Sequence, residues 1–375
     1  MVNHLGNWKN GELGDFVTLK RGFDLPQQKR EDGQVPIFSS SGITGTHSTA
    51  MVKAPGVITG RYGTIGEVFY AAKDFWPLNT TLFVEDFHGN DAKFIYYFLK
   101  TLEWSKFTSA SAVPGINRNT VHKEIVSLPD IETQRRIAST LSMFDEKIKI
   151  NTEINDNLEQ QAQSYFQELF VDNADPEWTT GTISDLGTVV GGSTPSKAKP
   201  EYYTESGIAW ITPKDLSINK SKFVSHGEND ITELGLKNSS AAIMPEGTVL
   251  FSSRAPIGYI AIAAGEVTTN QGFKSVVPKP EIGTPFVYFF LKNTLPVIEG
   301  MASGSTFKEV SGSTMKNVPA VIPDAETLAK FSDFCAPIFA QQRILEEQNQ
   351  SLATLRDNLL PKLMSGEIDV SAVQL

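Results

Sequence analysis

DIETQRRIASTLSMFDEKIKINTEINDNLEQQAQSYFQELFV (residues 130–171) decides how this chain is built. The stretch is long, polar and free of Gly and Pro. Its apolar and small polar positions fall alternately four and three residues apart: Ile137, Leu141, Phe144, Ile148, Asn151, Asn155, Leu158, Ala162, Tyr165 and Leu169. That alternation is the heptad of a coiled coil, not the broader stripe of a surface helix. About 40 helical residues span roughly 60 Å. Asp130 stands as N-cap before the first apolar residue. DAETLAKFSDFCAPIFAQQRILEEQNQSLATLRDNLLPKLMS (residues 324–365) carries the same pattern on Phe331, Cys335, Ile338, Gln342, Leu345, Asn349, Leu352, Arg356, Leu359 and Leu363, with Asp324 as cap. A helix-interior proline loses a hydrogen bond and clashes, so a kink or fraying is expected at Pro361, and a stop at Gly366.

Outward from the helices, the chain repeats itself. Trp8-x-x-Gly11-x-Leu13-x-Asp15 returns as Trp178-x-x-Gly181-x-Ile183-x-Asp185, and Phe94-Ile-Tyr-Tyr-Phe-Leu-Lys100 as Phe286-Val-Tyr-Phe-Phe-Leu-Lys292. The matches keep their order. The second half is longer between Asp185 and Gly247, an insertion holding Trp210-Ile-Thr-Pro-Lys-Asp215. The stretches before the helices are rich in Gly, Ser, Thr and β-branched residues, with short strand runs such as Val68-Phe-Tyr70 and Tyr259-Ile-Ala-Ile262. The expected fold class is α+β, with two globular α/β domains joined by two long helices that pair as an antiparallel coiled coil in a pseudo-two-fold repeat. The expected divisions are 1–128 and 173–322 for the globular domains, and 129–172 and 323–375 for the helices and tail. A register in which paired residue numbers total about 500 overlaps every layer of both seams, setting Ile137 against Leu363, Leu141 against Leu359, Ile148 against Leu352, Asn151 against Asn349 and Asn155 against Leu345.

Composition narrows the function classes. At 375 residues the chain is too long for one ordinary core. It has no apolar run of membrane-spanning length and no signal-peptide pattern at its start. One cysteine, Cys335, precludes an internal disulfide and fits a reducing compartment, so the cytoplasm is expected. The formal charge of −10 is unusual for a nucleic-acid binder acting alone, though not for one that shares DNA with a more basic partner.

No reactive constellation stands out. The five histidines are scattered without metal-ligand spacing, and Cys335 lies on the seam, where a buried small residue is the plainer reading. No metal or cofactor site is expected. What recurs in both halves is a set of polar and basic loop residues. The first half offers Arg61, Asn79 and Thr80; the second offers Ser193, Thr194, Ser196, Lys214, Ser253, Arg254, Asn270, Gln271 and Lys274. Asn79-Thr80 takes the place of Asn270-Gln271 in this matching. Arg pairs with guanine edges, Asn and Gln with adenine, while Ser, Thr and Lys suit phosphates. Turn capping and surface ion pairs account for the same residue types, and both readings stay open from the residues alone.

Trp210-Ile-Thr-Pro-Lys-Asp-Leu216, Ser253-Arg-Ala-Pro-Ile-Gly258, Asn270-Gln-Gly-Phe-Lys274 and above all Leu359-Leu-Pro-Lys-Leu-Met-Ser-Gly-Glu-Ile368, behind a heptad helix, resemble the DNA-specificity subunit of type I restriction-modification systems. The resemblance covers nearly the whole chain. It implies that each globular domain reads one half of a split, asymmetric site on double-stranded DNA, and that the helices act as a ruler. It implies two DNA-methyltransferase subunits docked on the helices and nuclease/translocase subunits completing the complex. S-adenosylmethionine and ATP would belong to those partners, and the chain itself would catalyse nothing. The first half departs from the pattern, with no clear counterpart of Pro195-Ser196 or Trp210-Ile-Thr-Pro. Two other readings are a coiled-coil adaptor holding two protein ligands at fixed separation, and a hydrolase with paired carboxylates.

Overall fold

The computed structural model describes residues 8–108, 114–304 and 308–370. Two compact units divide the chain. One runs up to Ile148 and resumes at Gln350; the other is Lys149–Asn349. Each long helix therefore contributes to both units.

In the first unit an antiparallel sheet runs in the order Thr18–Arg21, Thr81–Asp86, Gly56–Gly60, Val68–Ala71. Gly56–Gly60 lies centrally and is buried throughout, as its unbroken small and β-branched run requires. A smaller sheet joins Gly42–His47, Val35–Ser39 and Trp76–Pro77. The helix Ala92–Lys100 packs Phe94, Ile95, Tyr97, Phe98 and Leu99 into the core, with Asp91 capping it through the Phe94 N–H. The second unit repeats the plan. Its main sheet runs Gly187–Gly191, Lys274–Pro278, Val249–Ser253, Ile257–Ala263, with Phe223–Val224 added in parallel at the edge. The insertion supplies most of a second sheet, Tyr203–Thr204, Asn229–Ile231, Ile208–Ile211 and Thr268–Thr269.

The long helices are Ile131–Gln167, continued by a π turn over Glu168–Asp172, and Ala325–Met364. Asp130 and Asp324 each accept the N–H of the residue three on, Thr133 at 3.0 Å and Thr327 at 2.9 Å. Ile137, Leu141, Asn151, Ile338 and Leu345 are buried, and Phe144, Ile148, Leu158, Asn349, Leu352 and Leu359 half-buried. The expected break at Pro361 does not occur. The helix continues to Met364 because Leu360, Leu363 and Met364 are buried in the first unit's core, which offsets the lost hydrogen bond. Gly366 then takes a positive φ of 73° and ends it.

Within each unit the helix segments pair antiparallel: the contacts Asn151–Asn349, Asn155–Gln342 and Asp145–Arg356 each join residues whose numbers total about 500. In the first unit Arg356 donates to Asp145 at 2.6 Å, and Asp145 also accepts the Tyr97 hydroxyl at 2.5 Å. In the second, Asn151 meets Asn349, while Asn155 bonds the backbone of Gln342 rather than standing against Leu345 alone. Cys335 is fully buried, and burial pushes its thiol up to about 12, far from a nucleophile.

Candidate nucleic-acid interface

At one end of each main sheet the loops are tied together by backbone hydrogen bonds that correspond one for one. In the first unit Gly22 N–H donates to Thr81 O, Phe23 to Pro77, Leu78 to Phe38, Arg61 to Thr80 and Ile116 to Arg61. In the second, Gly192 donates to Phe273, Ser193 to Thr269, Asn270 to Ile211, Ser253 to Gly272 and Val310 to Ser253. Gly22 and Gly192 are obligatory at this crossing, since a Cβ would collide with the carbonyl oxygen of Leu78 or of Asn270.

This frame corrects two sequence-based matches. Leu78 takes the place of Asn270, so Asn79 corresponds to Gln271 and Thr80 to Gly272. The apparent match slips by one because side-chain likeness, not backbone bonding, aligned it. A counterpart of Trp210-Ile211 does exist: Ile37-Phe38, which pairs in parallel with Trp76-Pro77 as Trp210-Ile211 pairs with Thr268-Thr269. Only the backbone role is shared, so no residue identity reveals it.

The second unit gathers most of its expected residues. The Thr194 hydroxyl donates to Gln271 Oε1, and the Ser193 carbonyl accepts the Trp210 indole N–H at 3.0 Å. Asn270 Oδ1 accepts the Gly272 N–H at 2.8 Å, which caps the turn. Arg254 and Lys274 reach one carboxylate, Glu309, at 3.6 and 3.7 Å. Ser196 and Gln271 are exposed, as is Lys214, which pairs with Glu228 at 2.6 Å. Ser253 is a correction. It is fully buried, and its hydroxyl donates to Gly272 O at 3.0 Å, so it anchors the loop and cannot reach a ligand. Thr80 is a second one: its hydroxyl is buried and its carbonyl accepts two backbone N–H groups.

In the first unit the same location is an open groove of about 750 Å³. Lys20, Arg21, Arg61 and Arg118 line it together with Phe23 and Tyr62. The Arg61 guanidinium lies over the Tyr62 ring, 4.5 Å from its centroid, and its Nε donates to Ile116 O at 3.4 Å. Lys20 pairs with Glu85, Arg21 lies 4.0 Å from Asp24, and Asp24 accepts from the Asn79 amide. Among the described residues neither Arg61 nor Arg118 has a carboxylate partner. Sequence reading missed Lys20, Arg21 and Arg118; aligning Gly22 with Gly192 would have shown that the first two enter the same frame.

Through that frame, the cations of each loop cluster correspond to uncharged residues of the other. Lys20, Arg21, Arg61 and Arg118 correspond to Val190, Gly191, Ser253 and Gly312, while Arg254 and Lys274 correspond to Tyr62 and Leu82. The backbone is repeated and the chemistry presented on it is not. Such a pair of like-framed, unlike-faced domains, each followed by a heptad helix, defines a two-headed recognition protein. Among the described residues no cluster of His, Cys, Asp and Glu is placed to hold a metal, and no helix is long and apolar enough to cross a membrane.

Comparison with known proteins agrees with that class. Residues 6–160 and 176–355 match the type I restriction modification DNA specificity domain, and the chain belongs to that family. It is 39% identical over 194 residues to the MjaIX type I restriction enzyme specificity subunit of Methanocaldococcus jannaschii, a match spanning 49% of this chain and 45% of that one. It is 31% identical over 383 residues to a chain of Mycoplasma pneumoniae named as a type I specificity subunit, covering 96% and 97%. Among solved structures it is similar in fold to the S subunit of a type I restriction-modification system from M. genitalium, with TM-score 0.64, 19% identity and 97% of each chain covered. Family membership goes against the plain adaptor reading.

Proposed function

We propose that this chain is the sequence-reading subunit of a type I restriction-modification complex, and that its two domains read two different half-sites of one asymmetric DNA target. The repeated frame with non-matching cations carries this reading: equal backbones bring both loop clusters to DNA in the same way, and unlike side chains select unlike bases. The chain supplies no catalytic group. Methyltransferase and nuclease/translocase subunits supply the chemistry, along with the S-adenosylmethionine and ATP sites, in the cytoplasm. Mapping modified adenines in cells expressing the chain with its methyltransferase tests this. The expected motif is bipartite and asymmetric, with half-sites about one helical turn apart, roughly 34 Å centre to centre. A continuous or palindromic motif overturns it.

The partners' attachment follows from the helices. Ile150 and Ile344 are equivalent in the repeat, and both are about half exposed (49% and 48%), with Ile154 also exposed. Solvent-facing isoleucine at matched helical positions suits two copies of one partner. Ile150→Asp with Ile344→Asp should abolish copurification of the methyltransferase without loss of helix content.

A further inference from the structure

The two loop clusters differ at one frame position in a way that affects how each meets DNA. Val310 corresponds to Ile116, so Glu309 occupies the place of Gly115. In the first unit that place borders the open groove, and a side chain there would collide with the Tyr62 ring. In the second unit it holds a carboxylate set between Arg254 and Lys274, at 3.6 and 3.7 Å, the two cations that this domain's frame presents. The backbone of Glu309 is fixed by paired bonds with Ser303, Glu309 N–H to Ser303 O at 2.8 Å and Ser303 N–H to Glu309 O at 3.1 Å. Lys274 is mostly buried, with 16% of its side chain exposed, while Glu309 is 41% exposed.

We propose that Glu309 is an internal stand-in for a DNA phosphate, and that the second domain engages DNA only when a phosphodiester displaces this carboxylate from Arg254 and Lys274. The inference rests on the DNA-reading function above and adds an asymmetry to it. In the first domain's groove Arg61 and Arg118, which have no carboxylate partner among the described residues, are open to a phosphate beside the paired Lys20 and Arg21, whereas in the second domain one carboxylate holds both Arg254 and Lys274 and two ion pairs must break first. Non-cognate DNA offers only phosphates, so the carboxylate competes with it directly. A cognate half-site adds base contacts that outweigh the competition. Glu309 is thereby a specificity-determining residue without touching a base.

The test compares Glu309→Gln with Glu246→Gln in the full chain copurified with its methyltransferase. Glu246 pairs with Arg343 at 2.5 Å, away from the loop frame, and its change removes the same unit of charge. Binding is measured to a duplex bearing the mapped motif and to a scrambled duplex, across a salt series. Glu309→Gln should tighten scrambled DNA roughly fivefold, the scale of exposed ion pairs, steepen its salt dependence and lower the cognate-to-scrambled ratio. Adding Arg254→Gln and Lys274→Gln should abolish the gain. Equal effects of Glu309→Gln and Glu246→Gln overturn the proposal, leaving a bulk charge effect. So does a changed preference at one base pair, which would make Glu309 a direct reader of cytosine. If the unsubstituted complex distinguishes neither duplex, the DNA-reading function itself fails, a result separable from both.

Discussion

Asn151 Nδ2 donates to Asn349 Oδ1 at 2.9 Å across the two long helices, and Asn151 is wholly buried. An amide pair inside an apolar seam costs stability. It also disfavours one-heptad slips, which would break the amide pair and set Asn349 against Phe144 or Leu158, and Asn151 against Gln342 or Arg356. Replacing both with leucine should therefore raise the unfolding midpoint while loosening register. Cysteines at 148 and 352 should crosslink cleanly in the native background. In the Asn151→Leu/Asn349→Leu background, a pair shifted by one heptad should begin to crosslink as well. A single unchanged crosslink would show that the amides do not set register.

Lys222 fastens the second domain to the helices. It is 7% exposed, ion-pairs with Glu159, donates to Gln342 Oε1 at 2.7 Å and sits 4.0 Å from the Phe339 ring centroid. Burial pushes the ammonium below the usual lysine range against the pull of Glu159. Burial pushes the Glu159 carboxyl up, and Lys222 with Lys292 more than reverses it. Lys222→Met removes one partner of a buried pair and should cost about 3 kcal/mol. Urea unfolding checks this; a loss below ~1 kcal/mol would mean that Lys292 alone suffices for Glu159.

Acid should loosen the second long helix at its start. The Thr327 backbone N–H, helped by the Thr327 hydroxyl and the Trp178 indole, holds the Asp324 carboxyl below the ordinary range. A depressed folded-state value means that this contribution is complete above the unfolded value, about 3.9, and is lost as pH falls through the folded one. Asp324→Asn keeps a capping oxygen and removes the titration. Its stability should fall less steeply than the parent's below about pH 4. Parallel curves would place the acid sensitivity elsewhere.

Arg118→Ala and Arg254→Ala should separate the two heads. If either arginine makes a bidentate base contact, its loss should cost about 1–3 kcal/mol and relax one position of its own half-site only. A uniform loss over all DNA, with a shallower salt dependence, would mark the residue as a phosphate contact. Relaxation in both half-sites from one substitution would contradict independent reading.

The repeat, the two heptad helices, their caps and their register were legible in the residues from 130 and 324 onward, because periodic burial writes itself into periodic sequence. Asn151 opposite Asn349 needed only the spacing of the seams. The recognition loops are different. Their frame is made of backbone N–H and carbonyl groups, which every residue carries, so Ile37-Phe38 could not be matched to Trp210-Ile211 by identity. Side-chain type was a poor guide there too. Ser253 and Thr80 looked like ligand contacts and are buried anchors, while Lys20, Arg21, Arg118 and Glu309 drew no notice. Whether a polar side chain faces solvent or its own loop, and which carboxylate stands between two cations, depends on chain segments far apart in sequence. Those relations come into being only when the sheet brings residue 61 beside 116, and residue 254 beside 309.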